Sequence, residues 1–317
     1  MHVATETVYK LAHLKDWSNC RPFDGPALAV IGHPIAHSLS PVMHNAALVE
    51  LTKAHPRFAE WHYFKFDIAP EELKEALDLF HQNNFLGLNL TVPHKALVME
   101  YLDLSIQHKF LREIGAANTL KRTNKGWHGK NTDRFGLSSA LHNELHVDLN
   151  GKDVILLGAG GAARAAAIEC LHNECASLWI GNRSDPALVI LLSDLKKSGS
   201  LASTTQLEKF SLDNPPPNLP ARAVVINATS LGLKPSDKSP LNLVNIPTPA
   251  QVFDMIYRPQ QTALLRQASE MKIPNANGLS MLVHQGAASL EWWIKEPQQV
   301  IHAPVEIMQR AVRAALN

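Results

Sequence analysis

Short apolar runs alternate with longer, mixed segments along most of the chain. Runs at residues 27–31, 85–92 and 154–157 are typical of strands buried in a sheet. Between them, residues 70–82 begin with proline and acidic residues and then repeat apolar positions at helical spacing. Strands that alternate with helices indicate an α/β protein with mostly parallel sheets.

The remaining pattern extends this alternation to the end of the chain. Residues 61–68 predict an alternating strand, and a Thr-Asn-Lys-Gly turn at residues 123–126 predicts a hairpin. Further strands are expected at 176–184, 223–233 and 251–257, and helices at 134–146, 262–272, 280–293 and 304–316. Residues 186–220 predict a short helix followed by a proline-rich loop. Residues 1–26 are weakly patterned, with Trp17, Cys20 and Phe23 expected to pack as a leading segment.

The strongest local signal is VILLGAGGAARAA, at residues 154–166. A buried strand leads into a glycine turn, and the turn opens an alanine-rich helix. Glycines allow backbone N–H groups to approach a diphosphate, and the helix N-terminus adds a partial positive charge. The segment therefore predicts dinucleotide binding, although a glycine turn in an ordinary βα unit has the same local pattern. The residues expected to bind are Gly158, Ala159, Gly160, Gly161, Ala162 and Ala163.

The tip of the following strand bears on the choice of cofactor. It reads Asn182, Arg183, Ser184 and Asp185. Arg183 can pair with the 2′-phosphate of NADP, whereas an inward-pointing Asp185 would repel it and accept hydrogen bonds from the ribose of NAD. The sequence favours NADP and leaves NAD possible.

Composition excludes several classes of function. The 317 residues suit two domains, and a net charge of +1 gives no electrostatic reason to expect nucleic acid or an anionic membrane. Three cysteines show neither metal-ligand spacing nor a disulfide framework, and the 16 histidines form no HExxH pattern, so no metal site is expected. With no signal-like N-terminus and no apolar run of 18 residues, we expect a cytoplasmic protein outside the membrane.

Several polar residues occupy positions where chemistry is plausible. Ser38 and Ser40 would point to one side of an extended loop, although Ser40 before Pro41 is also a natural helix N-cap. Thr91 and Lys95 follow a buried strand at the edge where α/β proteins bind ligands. A lysine there is more commonly a solvated charge, so its role stays open at this point.

Other candidates lie further along the chain. The hairpin delivers Asn118 and Asp133 to the exit from the first domain. Thr229 and the segment from Met255 to Tyr257 end strands that would face a nicotinamide. Gln285 interrupts an apolar helix face, as a structurally satisfied glutamine also would.

The blocks together resemble the shikimate dehydrogenase family, including its quinate/shikimate dehydrogenase members. HSLSPVMHN, NLTVPHK, GAANTL, NTD, GAGGAARA, NR, INATSLG, DMIY and NGLSMLVHQGA follow one another in the family's order from about residue 27 onward. The resemblance implies reversible, NADP-linked reduction of 3-dehydroshikimate to shikimate, a step toward aromatic amino acids. It also implies an open α/β substrate domain at residues 1–132, completed by 278–317, and a Rossmann domain at 133–277.

The resemblance also assigns roles to individual residues. Lys95 and Asp133 match the catalytic pair, in which the lysine transfers a proton and the aspartate orients it. Substrate-binding positions match Ser38, Ser40, Thr91, Asn118, Asp133, Tyr257 and Gln285. Cofactor-binding positions match the glycine loop, Asn182, Arg183, Ser184 and Thr229, with Met255 and Gly278 beside the nicotinamide.

Some residues depart from the family pattern. Arg134 replaces a usual glycine after the NTD block, so it could face solvent or approach the cofactor phosphates. Pro186 and Ala187 stand near where a second basic residue is common, and residues 1–26 extend beyond the usual start. Two alternatives remain: a quinate/shikimate dehydrogenase that uses NAD or NADP, and a redox-inactive ligand sensor. The protein is expected to be a monomer or a homodimer. The paired serines and the NTD block do not fit a tetrahydrofolate dehydrogenase.

Overall fold

A computed structural model describes residues 7–102, 109–197 and 205–316. Parts of the leading segment (residues 1–6) and of the 186–220 stretch (residues 198–204) therefore lie outside the described residues. The chain divides by its internal contacts into two compact units, Met1–Thr132 with Val283–Asn317, and Asp133–Leu282. The sequence prediction had placed the return to the first domain at residue 278.

The first unit is built on a six-stranded sheet with the order β1-β3-β2-β4-β5-β6. The first four strands in that order are parallel, and the hairpin of β5 and β6 adds two antiparallel strands. The strands are β1 (Val8–Lys10), β2 (Ala27–Gly32), β3 (His62–Asp67), β4 (Gly87–Leu90), β5 (Thr119–Thr123) and β6 (Gly126–Lys130).

Helices cover this sheet. They are α1 (Leu11–Lys15), α2 (Trp17–Cys20), α3 (Ser40–Thr52), α4 (Leu73–Gln82), α5 (His94–Leu97), α6 (Lys109–Ile114) and α12 (Val305–Leu316). Short 3-10 turns lie at Pro56–Phe58, Pro70–Glu72 and Val98–Tyr101. The leading segment contributes β1 and buries Trp17, and Phe23 packs against the same core.

Three interpretations of the sequence in the first unit were wrong. Buried and exposed side chains do not alternate along β3. The strand lies between β1 and β2, and its inner residues, including Lys65, are buried on both faces. Ser40 is not an N-cap: it is the first residue of α3, the cap position is Leu39, and no side chain caps the helix. The segment before α3 turns rather than extends, since Leu39 adopts a helical backbone conformation.

The second unit has an entirely parallel sheet with the order β12-β11-β10-β7-β8-β9. This doubly wound arrangement, with helices between the strands, confirms the predicted α/β class and its Rossmann domain. The strands are β7 (Asp153–Leu157), β8 (Ser177–Asn182), β9 (Gln206–Ser211), β10 (Val224–Asn227), β11 (Gln251–Asp254) and β12 (Asn275–Asn277).

The second unit's helices are α7 (Asp133–Leu145), α8 (Gly161–His172), α9 (Asp185–Lys197) and α10 (Ala263–Glu270), with a 3-10 turn at Leu243–Asn245. Helix α11 (Leu279–Ile294) starts in this unit and continues into the first. In the described ranges, no helix combines the length and apolar character needed to cross a membrane.

Candidate active site

The loop between β2 and α3, residues 33–40, is held by one face of β3 and is called the serine loop here. Tyr63, Lys65 and Asp67 alternate along that strand and therefore point the same way. Lys65 Nζ donates to the Ala36 carbonyl at 3.0 Å, and Asp67 Oδ1 lies 2.5 Å from His33 Nδ1. Two side chains of one strand thus fix the loop at separate points, Ala36 and His33.

Inside the serine loop, the two predicted serines are in contact. The Ser40 N–H donates to Ser38 Oγ at 3.3 Å, and the Ser38 N–H donates to the Ile35 carbonyl. Ser40 is buried and Ser38 half-buried. Two hydroxyls two residues apart in a loop can both donate to one carboxylate.

A buried polar network runs from Tyr63 across the sheet. The Tyr63 hydroxyl donates to Asn89 Oδ1 at 2.7 Å, and Asn89 Nδ2 donates to Thr119 Oγ1 at 3.1 Å and to Ser289 Oγ at 3.0 Å. Because each group has a partner, the network satisfies polar atoms that would otherwise be costly to bury. Its members are Tyr63, Asn89, Asn118, Thr119, Thr132 and Ser289.

The network brings two predicted substrate residues together. Asn118 Nδ2 donates to Gln285 Oε1 at 3.3 Å and to Thr132 Oγ1 at 3.0 Å. The Thr132 N–H returns a bond to Asn118 Oδ1 at 2.7 Å. The Asn118 amide is therefore fixed before any ligand arrives, and the half-buried Gln285 lies beside it.

His44 lies against this network and is fully buried. Its ring stacks on Tyr63 with centroids 4.2 Å apart and planes 6° apart. Neither ring nitrogen has a hydrogen-bond partner among the residues that the structure describes. Burial lowers the pKa of His44 to about 3, so the ring is neutral near pH 7.

Thr91 and Lys95 lie just beyond β4, as the sequence predicted. The Thr91 N–H donates to the Ile31 carbonyl, and the Lys95 carbonyl accepts from the Ala117 N–H at 2.8 Å. Both side chains are half-buried. Lys95 is thus tied at its backbone to the residue before Asn118, which bonds Gln285.

Asp133 is the first residue of α7 and is buried. The sequence left open whether the next residue, Arg134, faces solvent or the cofactor phosphates. Arg134 Nε donates to Glu169 Oε2 at 2.7 Å, and its Nη2 lies 2.8 Å from His172 Nδ1. Both partners lie in the last turns of α8, so Arg134 points away from the glycine loop at that helix's start.

The glycine loop has the geometry expected of a diphosphate cradle. Gly158 has a φ of +112°, and its N–H donates to the Gly181 carbonyl at 2.7 Å. A Cβ added at Gly160 or Gly161 would meet nothing within 4 Å, so the backbone there is open to a ligand. Gly160 precedes α8, whose first N–H groups have no partner within the helix. Ala163 is buried, while Ala159 and Ala162 are half-buried. These residues fit a dinucleotide.

The tip of β8 presents exposed groups. Asn182 Nδ2 donates to the Ser184 carbonyl at 2.9 Å, and Arg183 is exposed. Asp185, whose charge argued against NADP, pairs with Lys209 of β9 at 3.0 Å.

The remaining predicted cofactor residues surround the ends of β10 and β11. Thr229 donates through N–H and Oγ1 to Asn227 Oδ1, and Asn227 Nδ2 donates to Asp254 at 2.9 Å. Burial raises the pKa of Asp254, which also accepts from Thr262. The Met255 N–H donates to the Asn227 carbonyl.

Two further predicted positions have clear steric settings. A Cβ at Gly278 would lie 2.0 Å from the Met255 carbonyl oxygen, so only glycine fits there. Tyr257 is half-buried, and burial raises its pKa.

Sequence reasoning missed the residues that support the site. The sequence pattern places Tyr63, Lys65 and Asn89 in strands without a role of their own, and it does not predict the strand that contains Lys209. The available signal was polarity inside buried runs, since Lys65 and Asn89 interrupt apolar sequence without a turn.

Comparison with known proteins adds independent findings. Residues 30–120 match the family model described as the shikimate dehydrogenase substrate binding domain. A shikimate dehydrogenase (NADP(+)) from Symbiobacterium thermophilum is 37% identical over 295 residues, covering 92% of this chain and 95% of that protein.

Solved structures agree. A shikimate dehydrogenase crystallised with NADP+ has a TM-score of 0.79 at 30% identity, covering 92% of this chain and 96% of that one. Shikimate 5-dehydrogenase from Thermus thermophilus, in complex with NADP(H) and shikimate, has a TM-score of 0.76 at 32% identity, covering 92% and 100%.

Proposed function

Since the chain belongs to the shikimate dehydrogenase family, we propose that it is an NADP-dependent shikimate dehydrogenase. It would interconvert 3-dehydroshikimate and shikimate in aromatic amino acid biosynthesis. The observation that carries the proposal is the relationship along almost the whole chain to an NADP-named enzyme of that activity. The geometry of both units supports it.

In this proposal the first unit binds the substrate. Ser38 and Ser40 receive the carboxylate, and the prearranged Asn118 and Gln285 receive ring hydroxyls together with Thr91. Tyr257 lines the same ligand. The second unit binds NADP through the glycine loop, Asn182, Arg183, Ser184 and Thr229, with Met255 and Gly278 beside the nicotinamide.

The proposed chemistry is a hydride transfer coupled to a proton transfer. Bound NADPH supplies the hydride that reduces the ketone carbon. Lys95, as an ammonium, donates a proton to the ketone oxygen as it becomes an alkoxide, and in the reverse direction the neutral amine accepts it. Asp133 orients Lys95 and the reacting hydroxyl. Serine hydroxyls without an arginine make carboxylate recognition dependent on geometry, which the fixed serine loop supplies.

The setting follows from the same proposal. Cys20, Cys170 and Cys175 are free thiols, two of them buried, which suits a reducing cytoplasm. The protein would act on small molecules as a monomer or homodimer, without nucleic acid.

The deciding experiment measures initial rates of oxidation of shikimate and of quinate, each with NADP+ and with NAD+. Selective turnover of shikimate with NADP+ is the expected result. Comparable rates with quinate or NAD+ would identify the broader quinate/shikimate dehydrogenase. Tight ligand binding without turnover would overturn the proposal in favour of a sensor.

A further inference from the structure

The ion pair between Lys209 and Asp185 lies beside the proposed 2′-phosphate site. Lys209 Nζ and Asp185 Oδ1 are 3.0 Å apart, with 47% and 71% of the side chains exposed. Strand β9 runs parallel to β8 and places Lys209 opposite Ile180, two residues before Asn182. The Lys209 side chain therefore extends from the neighbouring strand to Asp185, three residues after Asn182.

Two other arginines of this unit have ion pairs of their own. Arg134 pairs with Glu169, and Arg164 pairs with Asp194 at 2.8 Å. Arg183 and Asp185 alone carry no net charge, which is a poor match for a phosphate dianion. With Lys209 included, the three side chains carry a net charge of +1.

We propose that Lys209 is a specificity-determining residue that makes this site accept the 2′-phosphate of NADP. Its ammonium cancels the Asp185 carboxylate, so that Arg183 faces the phosphate without a competing negative charge. Lys209 thereby supplies the second positive charge of the site, which a basic residue near Pro186 and Ala187 would otherwise supply. The inference rests on the proposed function, since it presumes that the second unit binds NADP.

The test is direct binding without substrate or turnover. Isothermal titration calorimetry would measure the Kd of 2′,5′-ADP, which carries the 2′-phosphate, and of 5′-AMP, which lacks it. Four proteins are compared: wild type, Lys209→Met, Asp185→Asn and the double variant. Lys152→Met removes an exposed lysine just before β7, at the amino-terminal end of a strand in the same sheet, and serves as the control.

Lys209→Met should weaken 2′,5′-ADP binding about tenfold and change 5′-AMP binding less than twofold. Asp185→Asn should tighten 2′,5′-ADP a few-fold, and the double variant should return to within about threefold of wild type. These differences should shrink as salt is raised, because the groups are exposed.

Either of two results would overturn the inference: unchanged 2′,5′-ADP binding by Lys209→Met, or equal losses for both nucleotides. An unchanged melting temperature guards against misfolding. If wild type itself fails to prefer 2′,5′-ADP, the NADP assignment fails instead, so the two failures are distinguishable.

Discussion

The two proposed binding regions solve the problem of holding a ligand in different ways. In the first unit, the polar side chains are buried and bonded to one another, as in the contacts of Tyr63, Asn89 and Asn118. In the second, the glycine loop offers open backbone, and Arg183 is exposed. We therefore expect the proposed binding side chains of the first unit to contribute to the stability of its fold, whereas those of the second unit can be removed with little loss of stability.

The largest effect should come from the proposed proton donor. Lys95→Ala should lower kcat by about 10²–10⁴-fold, the scale of general acid–base catalysis, because the proposed mechanism has no second proton donor to the alkoxide. Steady-state oxidation of shikimate with NADP+ measures it, with Lys125→Ala in the exposed hairpin turn as a matched control. Near-wild-type turnover would remove Lys95 from the mechanism.

Acid should destabilise the first unit through His44. The folded-state pKa of about 3 lies below the ordinary 6.5, so the folded protein binds the proton less well than the unfolded chain. Stability present above pH 6.5 should be lost as pH falls toward 3, by about 4–5 kcal/mol in full. Urea denaturation from pH 7 to 4 should show a smaller loss for His44→Leu. Parallel curves for the two proteins would contradict this.

Two asparagines test the contrast directly. Asn89→Ala leaves the buried Tyr63 hydroxyl without its acceptor and removes the amide's bonds to Thr119 and Ser289, and should lower the free energy of unfolding by about 3 kcal/mol. Asn182→Ala removes one bond to the Ser184 carbonyl at a half-buried tip, and should change it by less than about 0.5 kcal/mol. Urea unfolding without ligand measures both, and equal losses would erase the contrast between the regions.

The same contrast explains what the sequence could predict. The glycine loop was predictable because its requirements are local: a strand, a turn that needs a positive φ at Gly158, and a helix. The motif blocks also named Lys95, Asn118 and Gln285 as candidates. The contact between Asn118 and Gln285 was not predictable, because it joins residues 167 positions apart.

The missed strands have physical reasons. Strand β9 is a sheet edge whose residues are mostly exposed or half-buried, so it lacks an apolar run. Without β9, Lys209 had no predicted position, and Asp185 looked like an unopposed negative charge. Ser40 does not cap the helix because α3 begins at Ser40 itself, with Leu39 at the cap position.

Substitutions at Gly160 and Gly158 distinguish an effect on ligand binding from an effect of backbone strain on stability. Gly160→Ala adds a Cβ that meets nothing, and should cost the unliganded protein at most about 1 kcal/mol while weakening NADP+ binding about tenfold or more. Gly158→Ala forces alanine to a φ of +112° and should cost about 1–3 kcal/mol. Calorimetric titration and thermal unfolding measure the two effects. Unimpaired NADP+ binding by Gly160→Ala would show that the ligand does not approach there.

The smallest effect should come from a residue that acts only through the serine loop. Lys65→Met removes the bond to the Ala36 carbonyl while keeping a long buried side chain, so the loop loses one of its two fixed points on β3. KM for shikimate should rise about three- to tenfold, with kcat and KM for NADP+ unchanged, because loosened serines weaken binding of substrate and transition state alike. Lys121→Met is the matched control, since Lys121 also donates to a carbonyl, that of Trp292, away from the serine loop. If kcat falls and KM does not change, Lys65 supports the chemistry rather than carboxylate binding, and the serine loop is not fixed by β3 in the way that these contacts indicate.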